Sequence, residues 1–132
     1  MVASSAACRH LIRSCAGDGS VHLMQVVYDK LVRDQIPEII RSAGQHPVIR
    51  ILDHASYRAA LLAKLTEEAS EAQQAPTGQL AAELADVLEV LQALAEAHDI
   101  TWDQVVKTAA DKRTERGGFR NRIFLHTVET PD

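Results

Sequence analysis

Five acidic residues recur at helical spacing in the middle of the chain and are the residues best suited to chemistry. They follow the pattern Glu-Glu-x-x-Glu, then eleven residues, then Glu-x-x-Asp, and they are Glu67, Glu68, Glu71, Glu83 and Asp86. Carboxylates gathered in one place repel one another unless a cation joins them, and ligand sets made only of oxygen favour Mg²⁺ or Mn²⁺ over zinc. A solvated helix face carries the same spacing, so the helical positions of these acids decide its meaning.

On the first of the two helices, periodicity places the acids on or beside apolar surface. At about 100° per residue, Glu68 falls on the stripe of Leu61 and Leu65, and Glu71 flanks that stripe. Glu67 lies further out. A carboxylate in an apolar stripe costs free energy unless it is paired or coordinated.

The second helix repeats this arrangement. Glu83 and Asp86 share a flank with Val90, whereas Glu89 lies on the polar stripe and reads as an ordinary solvated residue. The main apolar stripe consists of Leu80, Leu84, Val87, Leu88, Leu91 and Leu94. Two carboxylates on each helix therefore lie on mostly apolar surface, and we expect these four to hold a metal.

Helix signals place the two pairs opposite each other. We expect a long helix capped by Asp53 or Ser56 and reaching about Gln74, and a second capped by Thr77 and reaching about His98. A connection of only a few residues makes neighbouring helices antiparallel. The end of the first helix then faces the start of the second.

Two further helices are expected at the flanks. Asp34 is the expected N-cap of a short helix that Gly44 ends, and Thr101 with Gln104 forms a capping box for a last helix that stops at Gly117. Hydrophobic residues make up 46% of the chain but aromatic residues only 4%, which suits packed helices. We predict an all-α fold: a compact antiparallel bundle of about four helices with short extended flanks, completed by oligomerisation.

The start of the chain differs from the rest. Residues 1–23 are rich in Ala, Ser, Cys and Gly and lack periodicity. We therefore expect a disordered tail or a true start at Met24, with the domain spanning 24–132. The segment resembles a transit peptide only faintly. Cys8 and Cys15 lie in this tail without zinc spacing, which favours a reducing cytoplasm.

Charge and hydropathy exclude two classes of partner. The net charge of −4 argues against binding to polymeric nucleic acid. No apolar run approaches the roughly 20 residues that span a membrane.

Two alternatives to a magnesium site remain open. In the first, the acids form ion pairs with basic residues such as Lys30, Arg33 or Lys64. A di-iron site of the ferritin-like kind requires Glu-x-x-His on two helices, and no glutamate on these two helices has His three residues later.

Three motifs in order resemble one protein family. The acidic pattern resembles the signature of the all-α nucleoside triphosphate pyrophosphohydrolases, a superfamily that includes MazG, the dimeric dUTPases and phosphoribosyl-ATP pyrophosphohydrolase. Residues 28–38 and the Arg-Gly-Gly-Phe of 116–119 resemble its MazG-like, phosphoribosyl-ATP pyrophosphohydrolase-like branch. The resemblance covers roughly residues 24–130.

The resemblance implies a metal site and an activity. It implies Mg²⁺, with Mn²⁺ as a substitute, held by Glu68, Glu71, Glu83 and Asp86. Glu67 would hold the nucleophilic water or a second metal. The implied activity is hydrolysis of a nucleoside triphosphate, non-standard or deoxy forms included, to monophosphate and pyrophosphate in a house-cleaning role, by a homodimer or homotetramer.

Two other functions remain open: phosphoribosyl-ATP hydrolysis in histidine biosynthesis, and a non-catalytic helical interaction module. Gln35 stands where the branch commonly has lysine, which puts one phosphate contact in doubt. The basic residues that we expect at the phosphates are Lys30, Arg33, Lys64, Lys112 and Arg116. For Lys112 and Arg116, the alternative is favourable placement at the C-terminus of the last helix, and for Arg33 it is a surface ion pair.

Overall fold

Four α-helices, joined by turns and irregular segments, make up the computed structural model, which describes residues 24–132. They are α1 (Ile36–Ser42), α2 (His54–Gln74), α3 (Leu80–Ala97) and α4 (Trp102–Arg116). No strand occurs within residues 24–132. The predicted all-α fold with four helices is confirmed. The expected tail of residues 1–23, with both cysteines, lies outside the described residues.

The longest helix, α2, begins and ends where its local sequence dictates. The Asp53 side chain accepts a hydrogen bond of 2.7 Å from the backbone N–H of Ser56, which confirms Asp53 as the N-cap. This hydrogen bond also lowers the pKa of Asp53. The helix ends at Gln74 because Ala75 precedes Pro76, and a residue before proline is pushed out of the helical region.

A tight turn joins α2 to α3 and makes them antiparallel. Thr77 was predicted to cap α3, and this is wrong: Thr77–Gln79 forms a 3₁₀ turn, and α3 starts after Gln79, whose side chain makes no capping hydrogen bond. The turn is closed by a hydrogen bond from the Gln79 N–H to the Pro76 carbonyl. Arg58, near the start of α2, donates to the carbonyl of Ala97 at the end of α3, at 3.0 Å.

The flanking helices follow the predictions in part. The capping box of Thr101 and Gln104 is confirmed at the start of α4, and Gly117 follows the helix with a φ of 82° that favours glycine. Asp34 is not the N-cap of α1. Gln35 takes that position without a side-chain hydrogen bond, because the helix begins one residue later, next to Pro37.

The core lies between α2 and α3. Leu61 and Val90 are buried there, and so is Glu68, which is only 6% exposed. Among the described helices, α4 packs against α3 alone, and α1 packs against none. The α2–α3 hairpin is therefore the unit that positions any site on the acidic residues.

The main apolar stripe predicted for α3 is largely on the surface. Its leucine face, defined as Leu80, Leu84, Leu88 and Leu91, is exposed by 37% to 54%. The reason is the rotation of α3, which turns the flank of Glu83, Asp86 and Val90 inward instead. None of the helices in residues 24–132 combines the length and the apolar character that crossing a membrane requires.

Candidate metal centre

Three of the four expected ligands converge between α2 and α3. Glu68 comes from α2, and Glu83 and Asp86 come from the first two turns of α3. One oxygen from each of these carboxylates lies within 4.8 Å of the others, so the three form a group able to hold a metal ion. We call Glu68, Glu83 and Asp86 the carboxylate cluster. Its members are 18 residues apart in sequence at most, and the hairpin brings them together.

Glu68 is the most buried member of the carboxylate cluster. Its side chain is 8% exposed, and its Oε1 lies 2.9 Å from the Lys64 ammonium. Its Oε2 is buried and accepts no hydrogen bond from a described residue. Burying a carboxylate oxygen without a partner is costly, and a cation at this point would remove that cost.

Glu71 lies beside the cluster rather than in it. Its pKa is raised to about 7, first because the carboxyl is partly buried and then because Glu68, Glu83 and Glu67 surround it with negative charge. A carboxyl that retains its proton near neutral pH marks a place where anions are crowded. Glu71 thus lies on the same surface without converging with the other three, and its metal role stays a prediction.

Glu67 occupies the outer edge of the site and is kept ionised there. Its two oxygens lie 3.0 Å from the Lys30 ammonium and 3.3 Å from the Lys64 ammonium. Partial burial raises the pKa of Glu67, but the hydrogen bond from Lys30 and the charges of both lysines outweigh it, so that the net effect is a lowered pKa. An ionised carboxylate with a low pKa orients a water molecule better than it removes a proton from one.

Lys64 is the cation most deeply placed among these acids. Burial lowers its pKa, but the contacts with Glu68 and Glu67 outweigh burial and raise it. Lys64 therefore stays charged beside the cluster and fixes two neighbouring carboxylates of α2.

A third cation reaches the cluster from outside the hairpin. The Arg33 guanidinium lies 2.6 Å from Asp86 Oδ1. Arg33, Lys30 and Lys64 thus form the ion pairs with the acids that the sequence left open as an alternative to a metal site. The sequence named these residues without indicating the pairing, because Arg33 and Asp86 are 53 positions apart.

The ion pairs neutralise only part of the negative charge of the site. Three cations lie against five carboxylates, so the site retains two negative charges when every acid is ionised. All the oxygens come from carboxylates, which is the donor set of a hard divalent cation such as Mg²⁺ or Mn²⁺. The residues present therefore fit a divalent metal ion.

The two basic candidates on α4 are not brought to this site. Lys112 lies along a groove that Ile100 and Val105 also line, and Arg116 is exposed in the last turn. Within residues 24–132, no ion pair joins Lys112 or Arg116 to an acidic residue. In a single chain, the favourable placement of cations at a helix C-terminus accounts for Arg116.

Comparison with known proteins places this part of the chain in a family. A family model described as the MazG nucleotide pyrophosphohydrolase domain matches residues 53–118, a range that holds α2, α3, α4 and all five acids. An uncharacterized protein of Mycolicibacterium smegmatis (strain ATCC 700084 / mc(2)155) is 54% identical over 54 residues, which are 41% of this chain and 55% of that relative. The match thus spans about half the length of the relative. No solved structure matches the chain. Because the family model covers half of its residues, the chain belongs to the MazG nucleotide pyrophosphohydrolase domain family.

Proposed function

We propose that this protein hydrolyses a nucleoside triphosphate to the monophosphate and pyrophosphate in a reaction that requires Mg²⁺ or Mn²⁺. The observation that carries the proposal is the carboxylate cluster, which lies inside the range that matches the family model and contains a buried, unpartnered oxygen on Glu68. Neither the individual substrate nor the identity of the metal follows from family membership alone. The metal rests on the chemistry of this donor set, and the nucleotide class of the substrate on the description of the family.

The cluster is suited to a cation that itself binds phosphate. A triphosphate carries several negative charges, and an acidic site repels it unless a metal ion lies between them. When bound, the metal supplies charge neutralisation for the phosphates and lowers the pKa of a coordinated water. Glu68, Glu83 and Asp86 would hold it, and Glu71 would complete the set after losing its proton.

Glu67 is the residue that we assign to the attacking water. Its ionised carboxylate, held by Lys64 of the same helix, accepts a hydrogen bond from water and orients it in line with the α-phosphorus. The water oxygen bonds to that phosphorus, and the bond between phosphorus and the oxygen bridging to the β-phosphate breaks. Pyrophosphate leaves with the bridging oxygen, and the water protons pass to solvent.

The phosphate contacts that this chain offers at the site are Lys30, Arg33 and Lys64. All three are positioned by ion pairs with the site's own acids. Charge developing on the phosphoryl oxygens during the reaction is stabilised by such cations. Lys112 and Arg116 remain proposed contacts that a single chain does not bring to the acids.

The exposed leucine face favours a homo-oligomer. Four leucines on one side of α3 lie partly in water although α3 is the most apolar helix of the hairpin. A contiguous exposed apolar stripe on a helix is typical of an association surface. We propose that a second copy covers it in a homodimer or homotetramer.

A non-catalytic interaction module is the second candidate, since the three ion pairs give the acids a structural role. The deciding experiment is pyrophosphate release from a panel of nucleoside triphosphates and phosphoribosyl-ATP, with Mg²⁺ and with excess EDTA. We expect metal-dependent release that stops with the chelator. Full activity in EDTA contradicts the metal role. No release from any substrate, together with no effect of Mg²⁺ on the melting temperature, favours the interaction module.

A further inference from the structure

Two ion pairs attach the segment before α1 to the acids of the hairpin, one of them to the carboxylate cluster. We call residues 28–35 the basic segment. Lys30 donates to Glu67 of α2 at 3.0 Å, and Arg33 donates to Asp86 of α3 at 2.6 Å. The segment thus bridges both helices of the hairpin at the site. It lies outside residues 53–118, so the family match assigns it no role.

Most of the basic segment is open to water. Val32 is exposed, Leu31 is only partly buried, and the segment has no regular secondary structure. Helix α1, which follows it, packs against no other described helix. The Arg33 side chain is itself 56% exposed, and an ion pair so open to water contributes little stability. Loss of one ion pair is therefore enough to weaken the attachment.

Arg33 and a metal ion require the same carboxylate. Asp86 contributes one of the three converging oxygens of the cluster, and its Oδ1 is the atom that accepts from Arg33. A divalent cation held by Asp86 withdraws negative charge from that carboxylate and repels the guanidinium. The exposed contact of Arg33 is therefore weakened, whereas Lys64 is held by two acids of its own helix and its side chain is only 16% exposed.

We propose that a divalent cation bound at the carboxylate cluster displaces Arg33 from Asp86 and releases the basic segment from the hairpin. Release presents Lys30 and Arg33 to an anionic ligand, and the oligophosphate chain of a nucleotide has the matching charge. The inference rests on the proposed function for the identity of the site. It adds a metal-driven exchange in which two side chains leave carboxylates and become available to phosphates.

The exchange has a reciprocal consequence. If metal binding weakens the Arg33–Asp86 contact, that contact weakens metal binding by the same factor. Removing the guanidinium therefore strengthens binding of the metal, the opposite of what loss of a stabilising residue does. From the strength of an exposed ion pair, Arg33→Gln should bind Mn²⁺ about two- to fivefold more tightly.

Trypsin cleavage of the full chain tests release directly. Mn²⁺ alone is the probe: its binding is measured by electron paramagnetic resonance, and the rate of cleavage after Lys30 is followed by mass spectrometry. We expect Mn²⁺ to accelerate this cleavage at least about threefold. Cleavage after Arg122, in the irregular C-terminal segment, corrects for effects of Mn²⁺ on the protease.

Two variants separate exchange from a general change of charge. In Arg33→Gln, cleavage after Lys30 should already be fast without Mn²⁺, and Mn²⁺ should bind more tightly. Arg41→Gln removes an arginine that pairs only with Glu38 of its own helix and should match the parent in both measurements.

Each outcome decides the matter. If Mn²⁺ binds and leaves cleavage after Lys30 unchanged or slower, the exchange is wrong while the proposed function stands. If Arg33→Gln binds Mn²⁺ no more tightly than Arg41→Gln, the exchange is equally wrong. If Mn²⁺ does not bind the parent at all, both the exchange and the metal-dependent function are overturned.

Discussion

The two faces of α3 reverse the usual distribution of polarity. The face that packs against α2 carries Glu83 and Asp86, whereas the leucine face lies partly in water. Packing leucine inward and solvating the acids would gain about 1.5–3 kcal/mol for each leucine buried. The proposed metal site on the inner face and the proposed association through the outer face would together account for a sequence that forgoes this gain within one chain.

Glu68 shows that the inner face is organised around charge. It is as buried as the core residues Val90 and Ala95, yet it is a carboxylate with one oxygen that accepts no hydrogen bond from residues 24–132. A buried ion pair seldom adds stability, and breaking one by removing a single partner is costly. The arrangement is therefore better explained by a ligand than by stability.

The largest expected effect comes from removing charge on the inner face. Glu68→Gln and Asp86→Asn keep the side-chain shape but remove the anion that a divalent metal requires. Each should lower turnover at saturating Mg²⁺ by at least about 100-fold, measured as pyrophosphate release. Glu89→Gln is the matched control, because Glu89 is exposed on the same helix and should retain nearly full activity.

Melting curves in EDTA and in Mg²⁺ show whether these acids are ligands or structural partners. In EDTA, both acid variants should have nearly the stability of the parent, because the relief of repulsion among the crowded carboxylates offsets the lost ion pair with Lys64 or Arg33. Mg²⁺ should raise the melting temperature of the parent by mass action and that of the variants much less. If Glu68→Gln melts far lower in EDTA and Mg²⁺ changes nothing, the contact with Lys64 is the whole role of Glu68.

An intermediate effect is expected on the leucine face. Leu84→Asp places a charge on the proposed association surface and removes an apolar contact. Losing about 1.5–3 kcal/mol of burial should weaken self-association at least tenfold, measured by sedimentation equilibrium. Leu62→Asp is the control, because Leu62 is equally exposed but lies on α2. Equal weakening by both variants, or an unaltered mass for Leu84→Asp, removes the leucine face from the interface.

Periodicity predicted the helices and the unusual position of Glu68, but it did not predict the rotation of α3. Helix α3 has two apolar faces, one with Val90 and one with the leucines. Which of them packs inward depends on the side chains that α2 places against it. Nor did the sequence indicate that Thr77 would enter a 3₁₀ turn, because the choice between capping and turn depends on the closure at Pro76. The pairing of Arg33 with Asp86 is a long-range contact that local pattern does not encode.

The smallest expected effect concerns Glu71 and the dependence of stability on pH. Its pKa is raised to about 7 in the folded protein, against an ordinary value of 4.5, so the folded state binds a proton that the unfolded state has already lost between these values. Stability is therefore greatest, as far as Glu71 is concerned, below pH 4.5 and declines as the pH rises toward 7. Glu67 and Asp53 have lowered pKa values, and their contributions are lost only when the pH falls below the ordinary range of carboxyl groups.

Melting in EDTA between pH 5 and pH 8 isolates this effect. The melting temperature of the parent should fall by a few degrees across this range. That of Glu71→Gln should fall less, because the amide imitates the protonated carboxyl. The difference between the two curves belongs to Glu71, since the variant retains every other titrating group. Equal slopes would show that Glu71 is not crowded by the cluster and that the inner face of α3 is less charged than its geometry indicates. A steeper parent curve that Mg²⁺ flattens would instead place Glu71 among the groups that the metal neutralises, since a bound cation favours the ionised carboxylate and removes the reason for it to retain a proton.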